Sequence, residues 1–99
     1  MKRKKILTNS LLSFVVMFLS CSAEKPAAAP DIGDLVHHQN LGLAYLEENR
    51  IQEAKAEYEK IIQLVPQESL GYANLAITLL RQGDYSGANQ QIQKAILCL

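Results

Sequence analysis

Two cysteines and an adjacent pair of histidines are the side chains of this 99-residue chain whose chemistry stands out first. Cys21 follows a short apolar stretch, Cys98 is the penultimate residue, and His37 is followed directly by His38. Neighbouring residues of a helix point about 100° apart, whereas two metal ligands on one helix need a spacing such as i, i+4. The histidines therefore indicate an ordinary helix face. Since the sequence also has no glycine-rich phosphate loop and no nucleophile–base pattern, we expect no catalytic residue, no metal and no cofactor.

The first 20 residues have the composition of an export signal. Four consecutive basic residues, Lys2 to Lys5, precede an apolar stretch from Ile6 to Leu19 that is interrupted by four polar residues. A basic segment followed by an apolar region of about 7–15 residues is typical of secretory signals. A transmembrane helix needs about 20 apolar residues, so the stretch favours a signal peptide, residues 1–20, over a permanent membrane span.

The end of this segment resembles the lipobox of bacterial lipoprotein precursors. Phe18, Leu19, Ser20 and Cys21 fill its four positions, with Phe18 in place of the usual Leu. The resemblance implies that the Cys21 thiol accepts a diacylglyceryl group and that cleavage makes Cys21 the first mature residue. Each acyl methylene that is buried in the membrane contributes about 0.8 kcal/mol, so several chains would form a firm lipid anchor. The implied location is the bacterial cell envelope, facing the periplasm or the exterior.

Two other processing routes fit the same residues. Cleavage after Ala23 would release a soluble secreted or periplasmic protein, because Cys21, Ser22 and Ala23 roughly follow the small-x-small pattern. Alternatively, the apolar segment stays uncleaved as an anchor and Cys21 is a small apolar residue at its end.

The remainder of the chain is acidic and begins with a tether. From Cys21 onward, six Lys or Arg stand against ten Asp or Glu, a net charge of −4, which argues against a nucleic-acid partner. Residues 22–31 contain two prolines among alanines without apolar periodicity, so we predict a flexible linker over residues 21–34.

The residues after the linker repeat with a period of 34. Shifting the chain by 34 positions pairs Asn40 with Asn74, Leu41 with Leu75, Leu46 with Leu80, Ala54 with Ala88, Lys60 with Lys94 and Ile62 with Ile96. Asn49 pairs with Gly83, and both residue types tolerate a left-handed turn. Apolar residues within each unit recur at spacings of three and four. We therefore predict four helices, at residues 35–48, 51–65, 69–82 and 86–98.

These units resemble the tetratricopeptide repeat, whose 34-residue pattern combines small, aromatic and proline positions. The resemblance assigns repeat packing to Gly42, Tyr45, Ala54, Tyr58 and Pro66 in the first unit and to Tyr72, Ala76, Ala88 and Ala95 in the second. Gly42 is expected to face Ala54, and Ala76 to face Ala88, so that paired helices approach closely. The implied all-α fold has two helix-turn-helix repeats, over residues 35–68 and 69–99, whose four antiparallel helices form a fragment of a right-handed α-solenoid. An unrelated four-helix bundle is the alternative.

The resemblance also implies a peptide-binding groove along the first helix of each repeat. Its residues here are Gln39, Asn40, Leu43, Leu46, Glu47, Ala73, Asn74, Ile77, Leu80 and Arg81. Asn74 matches a family residue that bonds the ligand backbone, but the lysines of the family's carboxylate clamp are missing. We therefore expect a helix or a hydrophobic peptide of a partner protein as the ligand.

The second repeat stops at its thirty-first position and leaves its last helix without a cap. We expect this helix to join copies of the chain, to pack against a partner, or to mark a chain that is truncated relative to its relatives. Cys98 would be a small apolar residue there, or a free thiol able to link two chains if Cys21 is acylated. The sequence thus favours a membrane-tethered protein-interaction module, with assistance in the assembly of an envelope complex as one role open to it. The alternative is a structural subunit that self-associates through its last helix.

Overall fold

The computed structural model describes Cys21 and residues 29–99, and this part of the chain folds into four helices without a strand. They are α1 (Ile32–Glu47), α2 (Ile51–Leu64), α3 (Ser69–Gln82) and α4 (Tyr85–Leu97). Because α1 packs on α2, α2 on α3 and α3 on α4, two helical hairpins lie side by side. The prediction of an all-α fold built from two helix-turn-helix repeats is confirmed. The predicted signal peptide, residues 1–20, and most of the predicted linker lie outside the described residues.

Helix α1 begins at Ile32, earlier than the predicted start at residue 35. Asp31 is its N-cap, and the Asp31 carboxylate accepts a hydrogen bond of 2.8 Å from the backbone N–H of Gly33. Such a cap satisfies one of the N–H groups that the first helical turn leaves without a partner. Residues 32–34 therefore belong to the helix, and the prediction that they form part of the linker is wrong.

The two hairpins turn at equivalent positions. Asn49 after α1 and Gly83 after α3 have positive φ angles of 59° and 84°, and the sequence repeat pairs these same two residues. A left-handed residue lets the chain leave a helix and reverse direction, and glycine and asparagine adopt this conformation at low cost. The expectation of left-handed turns at both residues is confirmed.

The core lies along α2 and the faces of α1, α3 and α4 that pack on their neighbours. Its buried apolar members are Leu46, Ala54, Tyr58, Ile61, Val65, Leu75, Leu79 and Ala88. Ala54 and Ala88, which are 34 residues apart, are both fully buried. Burial of an apolar side chain of the size of Leu or Ile contributes about 1.5–3 kcal/mol, so this cluster is the main source of stability.

Close approach between helices depends on two glycines. A Cβ added to Gly42 would stand 2.6 Å from the ring of Tyr58, so the nearest neighbour of Gly42 is Tyr58 rather than Ala54 as predicted. A Cβ added to Gly71 would stand 2.8 Å from Cγ1 of Ile62, a contact that the sequence did not reveal. Of the predicted packing residues, Gly42, Ala54, Tyr58, Tyr72, Ala76 and Ala88 are buried, and Tyr45, Pro66 and Ala95 are partly buried.

Candidate protein-binding groove

An apolar groove with a volume of about 320 Å³ lies between α3 and α4. Its lining consists of Ser69, Ala73, Ala76, Ile77, Leu80, Ile92, Ala95, Ile96 and Leu99. The α3 members recur at helical spacing, and so do those of α4, because each helix carries a second apolar stripe beside the one that builds the core. The groove therefore presents an almost wholly hydrocarbon surface to solvent.

The first hairpin has the equivalent surface, and there it is covered in part, although Leu43 and its counterpart Ile77 are both 50% exposed. Under the 34-residue shift, Leu80 corresponds to Leu46, and Leu99 corresponds to Val65. Leu80 and Leu99 are 44% and 93% exposed, whereas Leu46 and Val65 are 6% and 8% exposed. On the α4 side, Ile92 is 40% exposed, while its counterpart Tyr58 is 1% exposed. Because α3 packs against α2, part of the surface that is open in the second hairpin is covered by a helix in the first.

The predicted peptide-binding residues divide between two surfaces. Ala73, Ile77 and Leu80 line the α3–α4 groove. Asn40, Leu43 and Glu47 are exposed on α1 but do not line it. Leu46 is buried in the core, so its placement in a binding groove is wrong: α3 covers it.

Polar residues of the predicted groove instead join α1 to α3. The Asn74 side-chain amide donates a hydrogen bond of 2.9 Å to Gln39 Oε1, and the Arg81 guanidinium donates one of 2.7 Å to the Leu46 carbonyl. Thr78, which is fully buried, donates from Oγ1 to the Asn74 carbonyl. Asn74 was predicted to bond a ligand backbone, but in this structure its amide N–H group is already engaged within the chain.

The buried contact between His38 on α1 and Glu57 on α2 was not predicted from the sequence. Glu57 is 7% exposed; its carboxylate lies 2.5 Å from His38 Nδ1 and accepts a hydrogen bond of 3.0 Å from Lys60. Burial alone would raise the pKa of Glu57, but the hydrogen bonds with His38 and Lys60 outweigh it and hold the pKa below its ordinary value. The one available signal was that His38 stands where the repeat pattern prefers Trp. This indicates a polar contact at a site that is normally filled by an aromatic ring.

The two cysteines form a disulfide bond across 77 residues of sequence, with their Cα atoms 5.1 Å apart. Both sulfurs lie 3.9 Å from the carbonyl oxygen of Pro66, in the turn between α2 and α3. The bond therefore joins the segment before α1 to the end of α4. It answers the question left open for Cys98: the thiol that was expected to link two chains is paired within its own chain.

The disulfide bears directly on the lipid anchor predicted at Cys21. A thioether to diacylglycerol and a disulfide both require the Cys21 sulfur, so the predicted acylation is incompatible with the bond to Cys98. Cleavage after Ala23 would remove Cys21 altogether. Of the three processing routes open to the sequence, the uncleaved segment is the one that leaves Cys21 in the chain with its sulfur free to pair.

Within the described part of the chain, no group of three or more His, Cys, Asp and Glu side chains is placed to hold a metal ion. None of the helices in this part of the chain combines the length and the hydrophobicity of a membrane span.

Residues 38–68 match the tetratricopeptide repeat family. The match begins within α1 and ends in the turn before α3, so it covers most of the first hairpin. Neither the curated proteins nor the solved structures gave a significant match. Tetratricopeptide repeats are typically non-catalytic modules of protein–protein interaction. The match and the four-helix fold together support a tetratricopeptide-repeat protein and suggest a protein-interaction module.

Proposed function

We propose that this chain is a membrane-tethered interaction module of the bacterial envelope that binds an amphipathic helix of a partner protein. The observation that carries the proposal is the open α3–α4 groove, since α3 covers part of the equivalent surface in the first hairpin. The partner would add a helix to the end of the two-hairpin array. Such binding buries the apolar side chains that the partner helix presents at spacings of three and four residues. It needs no catalytic group.

The proposed compartment rests on two independent features. The basic and apolar opening of the chain has the composition of an export signal, and disulfides form mainly in oxidising compartments such as the periplasm. If the segment is retained, the positive-inside rule leaves Lys2 to Lys5 in the cytoplasm and the helical domain outside it. The proposed tether is therefore the uncleaved stretch from Ile6 to Leu19 and not a lipid on Cys21. Because this stretch is shorter than the about 20 apolar residues of an ordinary span, it would cross the membrane with local thinning of the bilayer and with the flanking lysines extended to the membrane surface.

The groove is tested by placing a charge in each of its walls. Leu80→Glu and Ile96→Glu should each abolish capture of envelope proteins by the detergent-solubilised full chain. Leu43→Glu is the matched control, because Leu43 is 50% exposed on α1 and does not line the groove. If Leu43→Glu loses the captured protein while both groove variants retain it, the binding surface lies on α1 and the proposal is wrong.

The tether is tested by intact-mass analysis of the membrane-extracted protein with thiol alkylation before and after reduction. We expect the full 11.0 kDa chain, unalkylated until it is reduced, because both cysteines are bonded to each other. A mass that begins at Cys21 and carries acyl chains would instead establish the lipid anchor. It would also show that the disulfide does not form in the cell.

A self-assembling subunit is the second candidate, and the exposure of α4 favours it. Ile96 is 60% exposed and Leu99 is 93% exposed, which is unusual for apolar residues that neighbour one another on a small domain. Sedimentation that shows oligomers in the wild type, lost in Ile96→Glu, with no captured partner, would establish this function instead.

A further inference from the structure

We infer that the helix accepted by the α3–α4 groove belongs to another protein and carries glycine or another very small residue where it crosses Ile96. This inference rests on the proposed function and specifies the partner of the same groove. The template is α3 itself, which occupies the equivalent surface of the first hairpin.

The contact between α3 and α2 shows why the crossing residue is small. A Cβ on Gly71 would stand 2.8 Å from Ile62 Cγ1, 3.2 Å from Ile61 Cγ2 and 3.3 Å from the Ile62 backbone nitrogen. The backbone nitrogen belongs to a regular helix and has little freedom to move aside. A longer side chain at this position would therefore hold α3 away from α2.

The same crossing point is present in the open groove. The 34-residue shift maps Ile62 onto Ile96 and Ile61 onto Ala95, and both of these residues line the groove. Ile96 is an isoleucine like Ile62, so its side chain leaves no room for a large residue at the crossing point. Ala95 has no γ carbon, so the contact made by Ile61 is absent there, whereas the closer contact with the isoleucine side chain remains.

A second copy of this chain does not supply the required helix. The helix that would stack head-to-tail on the groove is α1, and the residue of α1 that corresponds to Gly71 is His37. An imidazole cannot occupy a space in which even a Cβ approaches Ile62 to 2.8 Å. The first helix of the chain thus lacks the feature that seats α3.

Peptides copied from the chain test this inference on the intact, oxidised protein. A capped peptide of residues 67–84, which is the α3 segment, should bind, and its Gly71→Leu version should bind at least about tenfold more weakly, equivalent to 1.4 kcal/mol. Leucine is a better helix former than glycine, so such a loss is steric. The Gly71→Ala peptide should bind more weakly than the parent peptide and more tightly than the Gly71→Leu version. A peptide of residues 31–50, the α1 segment, should not bind until it carries His37→Gly.

Groove variants separate the failure of this inference from the failure of the proposed function. Binding of the α3 peptide should be lost in Leu80→Glu and Ile96→Glu and kept in Tyr85→Glu, because Tyr85 is 72% exposed and does not line the groove. If the Gly71→Leu peptide binds as tightly as the parent, or the α3 peptide does not bind while a captured partner still depends on Ile96, the inferred partner class is wrong and the proposed function stands. Oligomers of the purified chain that Ile96→Glu abolishes would show that the occupant is a second copy and would overturn the inference.

Discussion

At the scale of single residues, Glu57 holds the least solvated charge among the described side chains. A buried carboxylate is costly unless other groups compensate it, and here His38 and Lys60 do so from α1 and α2. The pair connects the two helices of the first hairpin through a polar contact inside a largely apolar interface. This arrangement makes the stability of the first hairpin dependent on the protonation of one carboxyl group.

The pKa of Glu57 predicts how stability changes in acid. Because this pKa lies below its ordinary value of 4.5, the ionised carboxylate stabilises the fold above that pH, and the contribution is lost as pH falls through the lowered pKa. Glu57→Gln should lower the free energy of unfolding at pH 7 by about 1–3 kcal/mol. It should also reduce the loss of stability on acidification. Urea unfolding between pH 2 and 7 measures both effects.

Glu59→Gln is the control for this prediction, since Glu59 is an exposed carboxylate on the same helix. Its unfolding free energy should stay close to that of the wild type throughout the pH range. If Glu57→Gln and the wild type lose the same stability between pH 5 and pH 2, the carboxylate does not contribute as described.

At the scale of helices, the two hairpins use different residues at the equivalent contact between their paired helices. In the first, Gly42 makes room for the ring of Tyr58. In the second, the corresponding residues are Ala76 and Ile92, so a larger residue on one helix accompanies a smaller one on the other. The second hairpin thus has the larger residue of the two on its first helix and the smaller one on its second helix. Such compensation is expected where helices are tightly packed.

This exchange predicts an energetic coupling between two positions. Gly42→Ala should lower the free energy of unfolding by about 1–3 kcal/mol through overpacking, although alanine favours helix formation over glycine. Adding Tyr58→Ile, which copies the second hairpin, should restore part of that loss. A double-mutant cycle by chemical denaturation should give a favourable coupling of about 0.5 kcal/mol or more. Strictly additive effects of the two substitutions would show that the predicted contact has no energetic consequence.

Most of the helical architecture followed from the 34-residue period, because paired positions repeat the apolar stripes and the left-handed turns at Asn49 and Gly83. The early start of α1 was missed, since the N-cap at Asp31 lies within a segment whose composition is that of a linker. The groove was predicted only in part. Sequence alone does not show that α3 covers Leu46 while its repeat partner Leu80 stays open.

At the scale of the whole molecule, the disulfide connects two parts of the chain that are distant in sequence. No local pattern could have predicted a pair separated by 77 residues, and the lipobox-like context of Cys21 pointed to a different use of its sulfur. The bond ties Cys21 to the end of α4, beside Leu99 at one edge of the groove. Oxidation thus fixes the position of the helix that forms one wall of the binding site.

Reduction should weaken the fold without abolishing its helices. A domain of this size buries a limited core, and a disulfide typically contributes about 2–4 kcal/mol by restricting the unfolded chain. Urea unfolding in the presence of a reductant should therefore show a free energy lower by that amount, while circular dichroism before the transition is unchanged because the core cluster does not include the bond. Cys98→Ser should match the reduced wild type and should not respond to reductant. Equal stability of the oxidised and reduced chains would mean that the bond does not constrain the unfolded state, and α4 would then be held by its packing on α3 alone.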